Sequence, residues 1–186
     1  KPAAKSYKAV LPKLMRESVH SFFDNLSDPI TFLNSLLQGN VDNALRVFGR
    51  FLSNSTLGVG GLFRIDTSNL NKEDFGQTFG KWGASSGAYV MLPFLGPSSV
   101  RDALAKPLDM LVNPRNLLDD ASLNMALVGL QVVDTRADLI PIEKIIEGDE
   151  YLFLRDIYLQ RREFLVQDGK VKDSFMDDMD DMDDDE

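Results

Sequence analysis

Few residues in this chain have types and spacings that could do chemistry. Asp66 with Asp74, and Asp102 with Asp109, invite a reading as paired carboxylates for acid–base work. Glycosidase pairs need a defined separation across a cleft, and closeness in sequence does not supply one. Asp66 and Asp102 read better as turn or cap residues. His20, in the run SVHSFFDNL, is the only histidine. A Ser–His–Asp triad would have to be built on it, and a His-based metal cluster within one chain is ruled out. The plainer role for His20 is a partly exposed helical position.

There is no cysteine, which removes disulfides, thiolate zinc sites, iron–sulfur clusters and Cys nucleophiles and leaves the redox compartment open. Leu57-Gly58-Val59-Gly60-Gly61 suggests a phosphate loop, but no Gly-Lys-Ser/Thr follows and no strand precedes it. The third Gly of the dinucleotide pattern is Phe63. Tight turning remains as the role of these glycines. The expectation is a protein that is not an enzyme and holds no cofactor or metal.

The elements that position these residues follow from composition. With 186 residues, 44% of them apolar, the chain suffices for one domain with a core. Its 20 basic and 29 acidic residues give a formal charge of -9, and nine acids lie between Asp173 and Glu186. The body is therefore neutral, which argues against nucleic acid as a partner. The tail SFMDDMDDMDDDE lacks the central Gly and Asp spacing of an EF-hand and is expected to be disordered. No run of about 18 apolar residues could cross a bilayer as a helix.

Helical signals dominate both ends. Asp28 with Pro29 reads as a helix start, and Gly39 as its left-handed stop. Asn40 caps a second helix with Val41, Ala44, Leu45, Phe48, Phe51 and Leu52 at helical spacing. Together they predict an antiparallel helical hairpin. Ser99 with Asp102 resembles a capping box ahead of the apolar stripe Val100, Ala103, Leu104, Leu108 and Leu111, which Pro107 should kink or interrupt. A long helix is expected from Asn116 to about Leu139, ending near Pro141. A last one should run from Asp149 to Gln167, closed by Gly169. In it Tyr151, Leu154, Ile157, Tyr158 and Leu165 face inward, while Arg155, Arg161, Arg162 and Glu163 form the polar side. No segment shows period-2 alternation, so the fold class is all-α. One helical domain is expected over residues 1–172 and an acidic tail over 173–186.

The middle is unusual. Eight of the 13 glycines lie between Gly58 and Gly96, and Lys81 and Arg101 enclose 19 uncharged residues, WGASSGAYVMLPFLGPSSV. Gly83, Gly87, Pro93, Gly96 and Pro97 prevent a membrane-spanning helix there. Two readings stand. Trp82, Tyr89, Leu92 and Phe94 could be buried under helices as a core loop. Alternatively the segment forms an amphiphile site or membrane interface, where Trp82 and Tyr89 suit the polar–apolar boundary. Gly76, Gly80, Gly83 and Gly87 would align on one helix face and allow close helix approach, or could equally be turns.

Four blocks carry a family resemblance. They are Asn25-Leu26 with Asp28-Pro29 and NSLLQG; RFLSNSTLGVGGLF from Arg50; DFGQTFGKWG from Asp74, continuing through Tyr89-Val90 and LPFLGPSSVRD; and YLFLRDIYLQRREFL from Tyr151. In this order and spacing the chain resembles the MlaA (VacJ) outer-membrane lipoproteins of Gram-negative bacteria. It departs from their usual pattern at Arg64, Ala88 and Glu150.

The resemblance implies an outer-membrane lipoprotein acting in retrograde phospholipid transport. It further implies a helical ring in the inner leaflet of the outer membrane, surrounding an amphipathic channel. Implied partners are phospholipid, a trimeric porin and the periplasmic lipid carrier of the Mla pathway. A lipid anchor is expected upstream of Lys1. The channel candidates are Trp82, Gly83, Gly87, Tyr89, Met91, Leu92, Pro93, Phe94, Leu95 and Pro97, with the Gly/Pro-rich hairpin from Gly83 to Pro97 governing opening. The alternative is a porin-docking periplasmic scaffold without direct lipid transfer.

Overall fold

A computed structural model describes residues 2–93, 96–139 and 150–169. Its elements in chain order are α1 (Pro2–Val10), α2 (Lys13–Leu37), α3 (Val41–Thr56), α4 (Phe75–Lys81), β1 (Tyr89–Leu92), β2 (Gly96–Ser99), α5 (Val100–Val112), a 3-10 turn (Pro114–Leu117), α6 (Ala121–Leu139) and α7 (Glu150–Val166). The all-α reading holds, with one addition. The middle hairpin is paired, β1 running antiparallel to β2 with Tyr89 opposite Ser99 and Leu92 opposite Gly96. Its strands are only four residues long, and β2 is made entirely of Gly, Pro and Ser, so no alternation shows in sequence.

Several helix signals act as expected. Gly39 adopts φ 77°, Asn40 accepts the Asn43 N–H at 3.2 Å, and Ser99 accepts the Asp102 N–H at 3.2 Å. Gly169, at φ 77°, closes α7 by donating to the Phe164 carbonyl at 2.9 Å. Others differ. α2 does not start at Asp28 but runs through Pro29, because the Asp28 carboxylate is taken by a tertiary partner, Arg50, and does not cap. Pro107 lies inside α5 without ending it. The helix expected from Asn116 begins at Ala121, where Asp120 accepts the Ser122 N–H at 2.8 Å. Pro141 and the tail from 173 lie outside the described residues.

The packing inverts the usual rule for soluble chains. α3 packs along α2, α4 along α5 and α1 along α6. The face that α3 buries is Asn43, Ala44, Val47, Arg50 and Asn54, whereas its apolar residues Val41, Leu45 (63% exposed), Phe48 and Leu52 face outward. α5 buries Arg101, Asp102 and Ala105 and exposes Val100, Leu104 (72%) and Leu111. Apolar periodicity locates both stripes, but they face outward and the polar faces form the interior. In α7, Tyr151 and Ile157 likewise turn outward, and Arg162 turns inward.

A polar interior persists only if most of its groups are bonded, since each unsatisfied one costs about 1–3 kcal/mol. A few buried atoms, among them Asn25 Oδ1 and Gln77 Oε1, lack a partner, but the groups that join the helices are bonded. The Thr78 hydroxyl donates to Asn34 at 2.6 Å, and Asn34 donates to the Ile30 carbonyl at 2.9 Å. Asn43 donates to the Ser35 hydroxyl at 2.8 Å, and Arg50 to Asp28 at 2.6 and 3.2 Å. A small apolar cluster, Ala4, Tyr7 and Ala137, joins α1 to α6.

Candidate functional site

The uncharged middle becomes a short helix, a turn and the β-hairpin, all footed on α5 and α7. Asp74 caps α4 by accepting the Gln77 N–H at 2.9 Å. Gly76 and Gly80 let the helix come close to its neighbours. A Cβ on Gly76 would meet Asp102 Oδ1 at 2.5 Å, and one on Gly80 would meet Arg101 Nη1 at 2.7 Å. Gly83 (φ 95°) and Gly87 (φ 66°) are turn glycines in the left-handed region. The four-glycine series therefore divides, two serving approach and two turning.

Under the hairpin lies a charged knot. Arg162 on α7 donates to Asp74 at 2.7 and 2.9 Å and to Asp102 at 3.0 Å. Tyr158, one turn earlier, donates to Asp102 at 2.6 Å, and Arg101 donates to Asp102 at 3.0 Å. Burial pushes both acids up. Tyr158 and the Arg162 charge outweigh this at Asp102, and Arg162 outweighs it at Asp74, so both stay below the usual carboxylate range. Burial and the bond to Asp102 push the Tyr158 phenol up to about 12.

Burial also lifts Asp109 to about 6, against the Phe75 N–H it accepts at 3.0 Å. Glu73, only 4% exposed, is raised to about 7 by burial despite accepting from Gln38 at 3.0 Å.

The acids considered for catalysis are thus committed elsewhere. Asp74 and Asp102 share Arg162, Asp109 caps Phe75, and Asp66 closes a turn on Ser68 at 2.8 Å. His20 is half exposed on α2, with Nδ1 3.3 Å from Asp134 and Nε2 3.6 Å from Asp24. Among the described residues no group of three or more His, Asp or Glu could hold a metal ion. Gly61 and Gly58 serve close turns, as a Cβ on either would fall within 2.5 Å of Asn25 or the Phe63 carbonyl.

Of the predicted channel residues, Trp82 is 60% exposed and donates to the Leu37 carbonyl at 3.2 Å. Tyr89 sits edge-on to Tyr151 and Tyr158, with ring centroids 5.5 and 6.0 Å away. Met91 and Pro93 are exposed, and Leu92 and Pro97 are half-buried. Gly83 and Gly87 flank the turn into β1. Phe94 and Leu95 lie outside the described residues. The buried pairs Asp28–Arg50 and Asp102–Arg162 were not foreseen. Tyr158 and Arg162 stand i, i+4 on one helix face, and that spacing is the signal that could have placed Arg162 inward.

Residues 1–165 match a family model described as MlaA lipoprotein. The chain is 30% identical over 183 residues to the Haemophilus influenzae intermembrane phospholipid transport system lipoprotein MlaA, covering 93% of this chain and 72% of that protein. It is 29% identical over 182 residues to the Escherichia coli protein of the same name, covering 92% and 71%. A solved structure described as "Structural basis for maintenance of bacterial outer membrane lipid asymmetry" superposes with a TM-score of 0.76 at 27% identity, covering 89% of this chain and 86% of that one.

Proposed function

The chain belongs to the MlaA lipoprotein family, and from that premise we propose that it removes phospholipid from the outer leaflet of the outer membrane through an amphipathic channel, maintaining lipid asymmetry. The single observation that carries this reading is the inverted polarity. Leu45, Phe48, Leu52, Leu104 and Leu111 point outward, while Asn34, Asp28, Thr78 and Ser98 are buried. Exposed apolar surface on this scale suits acyl chains, and bonded polar groups inside suit a path for headgroups. No described helix is long and apolar enough to cross a membrane, which agrees with residence in one leaflet.

The mechanism is passive and steric. The helical wall keeps inner-leaflet lipid from entering sideways, and the segment from Trp82 to Pro97 lines and gates the opening. Tyr89, Met91, Leu92 and Pro93 meet the lipid. Gly83 and Gly87 are the bending points. No bond is made or broken, and the acids at the hairpin foot serve as struts. A trimeric porin holds the protein at the outer membrane, and a periplasmic carrier of the Mla pathway receives the lipid.

Gly83→Ala and Gly87→Ala test this reading. At φ 95° and 66°, a Cβ costs about 1 kcal/mol and stiffens the turn. Outer-leaflet phospholipid should change in cells with normal protein levels. Unchanged asymmetry, together with no lipid crosslinks from probes at Tyr89, would favour a scaffold that only docks on porin.

A further inference from the structure

A cavity of about 550 Å³, lined by none of the hairpin residues, is walled by α1, α2 and α6. Lys13, Arg16, Glu17 and His20 reach it from one face of α2, at the i, i+3, i+4, i+7 spacing that brings side chains together. Arg64 enters from the loop after α3, and Asp134 from α6.

The Lys and Arg side chains around this space, Arg16 apart, are paired with acids. Lys13 lies 3.5 Å from Glu17, and Arg64 lies 2.6 Å from Asp24. Asp134 accepts the Tyr7 hydroxyl at 2.8 Å and faces His20 Nδ1 at 3.3 Å. What remains is Arg16. No acid stands within ion-pair distance of it among the described residues, and its Nε–H is shut away from solvent with no acceptor. A guanidinium N–H so placed is a standing cost that an anion removes. The planar fork of Arg matches two oxygens of a phosphate. Ser21, on the next turn of α2, adds a hydroxyl to the same cavity. The volume falls in the range that takes a small polar ligand.

We infer that Arg16, flanked by Lys13 and Arg64, forms a phosphate-binding site at this cavity, distinct from the hairpin. The chemistry is that of a phosphate mono- or diester. Assigning that phosphate to a lipid headgroup, held as it enters or leaves, rests on the proposed function, whereas the anion site itself rests on geometry alone.

Calorimetric titration of the full chain tests both layers. The probes are dihexanoyl-phosphatidylglycerol below its micelle concentration, inorganic phosphate, and dihexanoylglycerol, which has the same chains without phosphate. Arg16→Gln should weaken the short-chain phospholipid about tenfold or more. Arg16→Lys, which keeps the charge and loses the fork, should fall between, and dihexanoylglycerol should be indifferent to both. Inorganic phosphate that binds in an Arg16-dependent way, with no Arg16-dependent phospholipid binding, keeps the site and removes its lipid assignment. Phospholipid and phosphate titrations that are both unaltered by Arg16→Gln overturn the inference. Should Arg16→Gln lose helicity by circular dichroism, Arg16→Lys carries the test, and an unaltered titration in that variant overturns the bidentate site.

Discussion

The α2–α3 joint and the β1–β2 hairpin both reverse the chain, yet they are held by different forces. At the first, Gly39 and Asn40 make the turn, the Arg50–Asp28 pair bolts the helices at 2.6 Å, and Asn43 ties Ser35 to the Asn71 carbonyl. The second has a four-residue ladder, strands that are partly exposed as far as Pro97, and the edges of Tyr151 and Tyr158 against Tyr89. In a protein that turns its apolar residues outward, burial of hydrocarbon cannot supply most of the rigidity. Directional polar contacts inside supply it instead, and they stop at Ser98 and Ser99, at the hairpin's foot. Beyond that point the backbone is held by little more than its own ladder. The stiff joint makes a frame, and the weakly held one is where local unfolding costs least.

The largest effects should come from cutting the struts. Arg162→Ala leaves Asp74 and Asp102 facing each other with their shared cation gone, so a loss of about 3–5 kcal/mol is expected. Arg50→Ala frees the carbonyl of the exposed Ser68, which water can reach. It orphans a single carboxylate, Asp28, whose burial already pushes it above the usual range, so it can take up a proton. The expected loss there is about 2–3 kcal/mol. Thermal unfolding of the two variants in the same detergent, followed by circular dichroism, gives the order. If Arg50→Ala proves the costlier, the foot of the hairpin is not the main strut and the comparison fails.

A medium effect is expected at Glu73, which ties the stretch ahead of α4 to Gln38 at the end of α2. Its carboxyl is raised from 4.5 to about 7. The folded protein therefore holds a proton that the unfolded chain releases, and stability falls as pH rises from about 4.5 through about 7. Asp109, raised from 3.8 to about 6, adds a fall of the same sign between those values. The depressed Asp74 and Asp102 act oppositely. Their contribution is present above pH 3.8 and is lost only as pH drops through their lowered values. Glu73→Gln keeps an acceptor for Gln38 and cannot ionise, so it should raise stability at pH 8 by about 1–3 kcal/mol and flatten the slope between pH 5 and 7. Denaturant melts across that window check it, and an unchanged slope would show that Glu73 does not carry it.

Much of the frame was legible in the residues. Gly39, Asn40, Ser99 and Gly169 are local devices whose partners lie within a few residues, and each acts as its type dictates. The periodicity of α3 and α5 gave the apolar stripe but not its direction. A stripe records that one face differs from the other, and only the solvent decides which goes inside. Asp28 looked like a cap because capping is what an Asp before Pro does locally, and its true partner stands on another helix. The sequence pattern puts Arg162 on the solvent side because a lone Arg is usually solvated. Its two acids lie far back in the chain, and the i, i+4 spacing from Tyr158 is the one local sign that it turns inward. The hairpin's place was evident from the Gly/Pro cluster, but its pairing was not, since strands this short carry no period.

The smallest expected effect bears most directly on the weak joint. Tyr89 packs its ring on Tyr151 and Tyr158, but its hydroxyl is shut from solvent without a partner, and burial holds its phenol above the ordinary range. Tyr89→Phe keeps the ring contacts and removes the orphan group, so stability should be unchanged or rise by up to about 1 kcal/mol. If the hairpin is held by aromatic edges alone, lipid transfer should also survive, because the ring and not the oxygen positions β1. A clear loss of stability in Tyr89→Phe, read by the same melt, would mean that the hydroxyl is bonded when the protein sits in lipid. The hairpin would then share the polar fastening of the α2–α3 joint, and the contrast between the two reversals would fail.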